Sequence, residues 1–230
     1  MNDLQLMHEV VRLALAAGEA ILPFWRADVA VTNKADDSPV TAADLAAHRV
    51  IADGLLALAP HIPVLSEEDC NIPLAERQGW SRWWLVDPLD GTKEFIAGSD
   101  ALPIQVRNTP PADGRFTVVA SRRHSSPEQE RLLAGLSASL GELQLVNIGS
   151  SLKFCLLAEG AADCYPRLAP TSQWDTAAAQ GVLEGAGGEV LELSGEPFSY
   201  PARESLLNAF FLALPAKAAW RERLLELARS

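Results

Sequence analysis

Residues 83–92 read WWLVDPLDGT, an apolar run that turns abruptly into two carboxylates, a proline and a glycine. Trp83 to Val86 has the aromatic and β-branched character of a strand, and Asp87-Pro88-Leu89-Asp90-Gly91-Thr92 follows as its loop. Asp87 and Asp90 stand three apart on one tight turn stiffened by Pro88, so they can share a hard cation or bridge two. Magnesium takes oxygen ligands and keeps several waters, so a few carboxylates suffice for it. Gly91-Thr92 opens a helical turn whose unpaired backbone N–H groups would suit a phosphate oxygen. Taken alone, the same six residues also fit an ordinary Asx/Pro turn after a strand.

Working outward, Ile62 to Leu65 reads as a second short strand, and Ser66-Glu67-Glu68-Asp69 follows it. Acidic residues thus sit just past two strand ends, where ligand-binding loops are found. Upstream, Met7, Val10, Val11, Ala14, Ala17 and Ile21 predict an amphipathic helix over 4–25. A second helix starts near Thr41, where Thr41 and Asp44 form a capping box, and runs through Leu58 to Pro60. The intervening VAVTNKADDSPVT (29–41) combines a short strand with a loop. Downstream, strands at Phe116–Ala120, Leu145–Ile148, Asp163–Tyr165 and Glu189–Leu193 alternate with helices at 127–140, 152–159 and 173–185. That alternation indicates an α/β layer architecture. Trp174-Asp175 opens the last of these helices, where a first-turn carboxylate is favoured by the helix dipole.

The chain has 230 residues, enough for one large domain or two small ones, with hydrophobic residues at 48%. A formal net charge of −11 disfavours nucleic-acid polymers and anionic membranes as partners. It also sets a problem for any phosphorylated substrate, unless cations stand between protein and phosphate. Cys70, Cys155 and Cys164 are odd in number and lack CxxC spacing, so reduced thiols are expected, with Cys155 and Cys164 as core fillers. No apolar run is long enough to span a bilayer, and the N-terminal stretch carries Asp3, Glu9 and Glu19 without a basic region.

SEED (66–69), DPLDGT (87–92) and WDTAAA (174–179) occur in the order found in the inositol monophosphatase superfamily of magnesium-dependent, lithium-sensitive phosphomonoesterases, which this chain resembles. Within it, GTKEFI (91–96), SRRHS (121–125) and GSSLKFCLLAEGAADCYPR (149–167) are similar to the 3′(2′),5′-bisphosphate nucleotidases of bacterial sulfur assimilation. The resemblance implies a layered α-β-α-β-α sandwich of mixed α+β and α/β character. Residues 1–112 would carry most metal ligands, and 113–230 the nucleotide contacts and the last ligand. It implies two or three Mg²⁺ ions held by Glu67, Asp87, the Leu89 carbonyl, Asp90 and Asp175, with Glu68 shaping the water network. Asp44 and Thr92 would orient and deprotonate the attacking water, and the Gly91 and Thr92 amides would hold the scissile phosphate. His124, Ser150, Lys153 and Arg167 match substrate-contacting positions. From the residues alone, Lys153 is equally a solvated helix lysine, Arg167 a surface residue and His124 a loop histidine.

The implied reaction is in-line attack of water on the 3′-phosphate of 3′-phosphoadenosine 5′-phosphate, giving AMP and phosphate. The implied setting is a cytoplasmic monomer or homodimer, with peripheral attachment at the inner membrane as an alternative. An inositol monophosphatase or sugar bisphosphatase remains an alternative, as does a catalytically weak nucleotide-binding sensor. One departure stands out. After GTKEFI the chain continues AGSDALPIQVRN (97–108), and the strand pair that the family carries there is absent, so part of the first sheet is expected to be missing.

Overall fold

The computed structural model describes residues 2–25, 31–33, 39–92, 115–120 and 126–230. The chain divides into two compact units, Met1–Asp100 with Ala202–Glu204, and Ala101–Pro201 with Ser205–Ser230. The boundary expected at residue 112 and the sequence departure after Ile96 lie outside the described residues.

In the first unit, α1 (Asp3–Ile21) starts on a capping box in which Asn2 accepts the Gln5 amide at 2.9 Å and Gln5 accepts the Asn2 amide at 3.0 Å. The helix expected to reach residue 25 stops at Ile21, and Leu22–Phe24 tighten into a 3₁₀ turn around Pro23. Proline has no N–H to continue the ladder and clashes with the preceding turn. The amphipathic reading of α1 is also incomplete: Leu4, Met7, Val11 and Leu15 lie exposed, so the face turned to solvent is apolar too. Gly54 lies so close to Leu13 of α1 that a Cβ there would collide with the leucine side chain, which explains a glycine at this contact.

A short antiparallel pair, β1 (Val31–Asn33) with β2 (Pro39–Thr41), feeds α2 (Ala42–Leu58), whose N-cap is Thr41 as the spacing predicts. β3 (Val64–Ser66) and β4 (Trp84–Val86) are parallel, in register Val64 with Trp84, Leu65 with Leu85 and Ser66 with Val86. The first of these strands begins later than Ile62. Ile62 donates its amide to Ala59 at 2.9 Å, and Pro63 has no amide to offer a ladder. A parallel pair needs a crossover, here residues 67–83 with the short helix α3 (Leu74–Arg77). Sequence periodicity gave no sign of α3. Arg77 is buried within the crossover and donates its Nε to the Ile72 carbonyl at 3.0 Å.

The second unit is an α/β layer structure. β5 (Phe116–Ala120) and β6 (Leu143–Asn147) are parallel and joined by α4 (Pro127–Leu140), which Ser126 caps by accepting the Gln129 amide. α5 (Leu152–Ala158) leads to β7 (Tyr165–Arg167), and α6 (Ala177–Gly185) leads to β8 (Gly188–Glu192). β9 (Phe211–Pro215) lies between β7 and β8, antiparallel to both, and α7 (Arg221–Ala228) closes the chain. Neither β9 nor α7 is legible from residue periodicity. The signal for β9 was the run FFLAL at 210–214. A strand buried on both faces shows no alternation, and this one is central.

The packing shows why. Phe211 and Ala213 point to one face, with Phe154 and Leu157 of α5 and Ala179 and Leu183 of α6. Leu212 and Leu214 point to the other, with Leu132 and Leu136 of α4 and Leu224 and Leu225 of α7. Helices therefore cover both faces of this sheet. Phe211 is fully buried and meets Phe154 at 5.6 Å, Tyr165 at 5.4 Å and Phe198 at 5.2 Å between ring centroids. Phe211→Ala is expected to cost about 3–5 kcal/mol of stability by urea unfolding, as large cavities in packed cores do; a loss under about 1 kcal/mol would contradict this packing. Cys164 is a buried core filler whose thiol is pushed strongly up by burial, whereas Cys155 is only half-buried and Cys70 likewise. No disulfide joins cysteines among the described residues.

Candidate active site

The parallel register of β3 and β4 decides the geometry of the first unit's acidic groups. Ser66 pairs with Val86, so the next residues, Glu67 and Asp87, leave the sheet side by side. The Glu67 amide still donates to the Val86 carbonyl at 3.0 Å, which holds the two loop starts together. Each residue presents a carboxylate oxygen within 4.8 Å of the other's. Two carboxylates this close repel unless a cation lies between them, and an all-oxygen donor set suits a hard divalent ion such as magnesium. The residues thus fit the metal the motif implies.

The DPLDGT turn is ordered from within. Asp87 Oδ1 accepts the Leu89 amide at 3.1 Å, and Gly91 adopts φ +88°, a left-handed backbone that glycine takes without strain. This turn brings Thr92 back over its own start, so that its hydroxyl lies 3.2 Å from the Leu89 carbonyl. The same hydroxyl donates to Asp44 Oδ1 at 2.8 Å, joining residues 48 apart in sequence. The shorter bond goes to the charged acceptor, as expected for a charge-assisted pair. Asp44 is 2% exposed, and its other oxygen accepts the Thr41 amide at 2.7 Å and the Thr41 hydroxyl at 2.6 Å. One oxygen of Asp44 thus serves the capping box and the other faces Thr92. Glu68 donates its amide to the Ser66 hydroxyl at 3.4 Å; Asp90 sits half-buried in the turn.

In the second unit, Asp175 does not open the alanine-rich helix as expected. α6 starts at Ala177, and Asp175 Oδ2 instead accepts the Ser172 amide at 2.7 Å, closing a turn ahead of the helix. Ser150 has φ +57°, unlike every other described non-glycine residue. A non-glycine residue held in the left-handed region is strained and is found at ligand-binding turns. Lys153 is not a solvated helix lysine: it is 4% exposed, and its Nζ donates to the Ser150 carbonyl at 2.7 Å and the Ile148 carbonyl at 3.2 Å, bracing that turn. Its ammonium also lies 5.4 Å from the Tyr165 ring centroid. Arg167 is likewise buried rather than superficial, donating to the carbonyls of Ala169 at 3.1 Å and Pro170 at 2.9 Å. His124 lies outside the described residues.

The sequence model of the inositol monophosphatase family matches residues 3–103 and 99–230. The chain belongs to the inositol monophosphatase family. Its fold is the layered α/β arrangement of that family. Among its relatives, the 3′(2′),5′-bisphosphate nucleotidase CysQ of Shigella flexneri is 43% identical over 90% of this chain and 98% of that protein. The protein of the same name from Haemophilus influenzae is 32% identical over 90% of this chain and 91% of its own length. The crystal structure of CysQ from Bacteroides thetaiotaomicron superposes with a TM-score of 0.74 at 33% identity, covering 92% of this chain and 97% of that one. Extragenic suppressor protein suhB from Bartonella henselae, at 18% identity, shares the fold with a TM-score of 0.71 over 98% of this chain and 99% of that one.

The match to the family also locates the departure seen in the sequence. The two matched segments overlap at residues 99–103, and the alignment to the Shigella relative spans 251 positions while taking in only 90% of the 230 residues of this chain. Family relatives therefore carry a stretch that this chain lacks. Among the described residues, the first unit holds only two-stranded pairings, β1 with β2 and β3 with β4. No helix among the described residues is long and apolar enough to cross a membrane.

Proposed function

We propose that this protein is a magnesium-dependent 3′(2′),5′-bisphosphate nucleotidase that removes the 3′-phosphate of 3′-phosphoadenosine 5′-phosphate. The observation that carries the reading is the pairing of Glu67 with Asp87 at adjacent strand ends, one turn away from the Asp44–Thr92 hydrogen bond. Relatives 42–43% identical to this chain bear that nucleotidase name, which supports the choice of substrate class.

Glu67, Asp87, the Leu89 carbonyl, Asp90 and Asp175 are assigned to two or three magnesium ions. Bound magnesium supplies positive charge that offsets these carboxylates and stabilises charge developing on the phosphate and on the leaving oxygen. Thr92 donates its hydroxyl hydrogen bond to Asp44, so its lone pairs are turned outward to accept a hydrogen bond from the attacking water. As the water oxygen bonds to phosphorus, its proton passes to Thr92, the proton of Thr92 passes to Asp44, and the P–O3′ bond breaks in line, O3′ taking a proton from bulk water to leave as the 3′-hydroxyl of AMP. The Gly91 and Thr92 amides hold the phosphate oxygens, and Glu68 orders water at the loop. His124, Ser150 and Arg167 contact the nucleotide, and Lys153 joins them by fixing the Ser150 turn and adding positive charge beside it. The functional division runs with this: metal ligands mostly before residue 112, nucleotide contacts after it. A cytoplasmic location is part of the proposal; membrane attachment is not.

Phosphate release from 3′-phosphoadenosine 5′-phosphate and from inositol 1-phosphate, measured side by side in magnesium, tests the substrate. At least ~100-fold preference in kcat/KM for the nucleotide is expected, the scale reached when buried polar groups lose their partners on the wrong ligand. Preference for the inositol ester would overturn the reading. Calcium and lithium are expected to inhibit by competing at magnesium positions, calcium because its looser, longer coordination does not reproduce the octahedral site. Titration of each cation at fixed magnesium checks this; inhibition independent of magnesium concentration would contradict it.

One observation favours a second reading. The stretch that relatives carry and this chain lacks belongs to the first unit's region of the family pattern. Its loss would make the protein a nucleotide binder of weak turnover. Calorimetric binding of the nucleotide without phosphate release would select that reading over catalysis.

A further inference from the structure

We infer that His48 is a positioning residue for the metal-binding loop, acting through Ser66. His48 lies one turn after Asp44 on α2, so the two project from the same helix face. Asp44 reaches the loop after β4 through Thr92, while the Nδ1 of His48 reaches the loop after β3, lying 2.9 Å from Ser66 Oγ. One face of α2 thus grips both acidic loops, and each grip is a single side-chain hydrogen bond.

Ser66 is the last residue of β3 and stands immediately before Glu67. It is 1% exposed, so its hydroxyl needs a partner inside the protein. That hydroxyl accepts the Glu68 amide at 3.4 Å, and the Ser66 carbonyl accepts the Asp69 amide at 3.1 Å. Ser66 is therefore the pivot on which the Glu67-Glu68 turn folds, and the His48 ring fixes the rotamer of that pivot. Without the imidazole the hydroxyl is free to rotate, the Glu68 amide bond weakens, and the Glu67 carboxylate loses its set direction towards Asp87. Groups that orient a ligand from behind typically set metal affinity by about 10–100-fold.

The inference rests on Glu67 and Asp87 being metal ligands, so the experiment carries a control for that reading. Magnesium alone is titrated calorimetrically into the full chain and its variants without substrate. His48→Leu is expected to weaken magnesium binding by about tenfold or more, and His48→Asn, whose side-chain amide can reach Ser66 Oγ, to restore most of it. Thermal unfolding of the metal-free proteins should leave both variants folded with similar midpoints. Parent-like magnesium affinity in His48→Leu, or equal weakening in both variants, would overturn the inference. Ser66→Ala provides a second route and should reproduce the His48→Leu defect; failure to do so would also overturn it. Glu67→Gln is the control: if it leaves magnesium affinity unchanged, the metal-site reading itself fails, whereas its loss alongside an unaffected His48→Leu sinks only the role of His48.

Discussion

Asp87→Asn is expected to lower kcat/KM by at least ~10³-fold, the scale of losing a group that bears directly on transition-state charge, with little loss of fold. The substitution is isosteric, and Asn retains an oxygen that can accept the Leu89 amide now bonded to Asp87 Oδ1 at 3.1 Å. The turn therefore survives. What disappears is the negative charge beside Glu67, and with it the repulsion that a divalent cation relieves. Phosphate release across a magnesium titration, together with thermal unfolding of the metal-free protein, separates the two effects. Full activity in saturating magnesium would refute the assignment of Asp87 as a ligand, and a collapsed melting transition would show that the turn depends on the charge itself. Asp90→Asn is expected to behave in the same way.

Thr92→Val should reduce kcat by about 10²–10⁴-fold, because general acid–base relays are worth that much, and should cost about 1–3 kcal/mol of stability, because the buried Asp44 Oδ1 loses its donor. Valine keeps the shape of threonine and removes the hydroxyl that donates to Asp44 Oδ1 at 2.8 Å. The capping box is untouched, since Thr41 continues to bond the other oxygen of Asp44. Asp44→Asn makes the informative contrast. Both oxygens of the buried carboxylate accept hydrogen bonds, so an amide NH₂ in either place faces a donor. That variant should lose about 1–3 kcal/mol of stability as well as activity. Thr92→Ser retains the hydroxyl and should keep most of the rate. If Thr92→Val turned over substrate at the parental rate while Asp44→Asn did not, Asp44 would be only a helix cap and the proposed relay would be wrong.

Local chemistry made several elements of the fold legible in advance. The Thr41–Asp44 capping box, the strand at Phe116–Ala120 and the helix at Pro127–Leu140 stand where residue type and periodicity put them. The misses share a cause. β9 lacked alternation because both of its faces are buried, and the surface alternative for Lys153 and Arg167 stayed open because burial of a cation depends on which carbonyls the fold brings to it. The helix at Asp175 was started too early because a side-chain bond to the Ser172 amide competes with the first helical turn, a choice residue preferences do not reveal.

By itself, the amino-acid order determined that two acidic loops follow two strands and that Asp44 caps a helix, since these depend on neighbours within a few positions. Only the tertiary structure decided that β3 and β4 run parallel in the register that sets Glu67 beside Asp87, and that Asp44 meets Thr92 across 48 residues. Shifting a strand by one residue turns each of its side chains to the opposite face, so such meetings are settled by sheet register and burial rather than by any local preference.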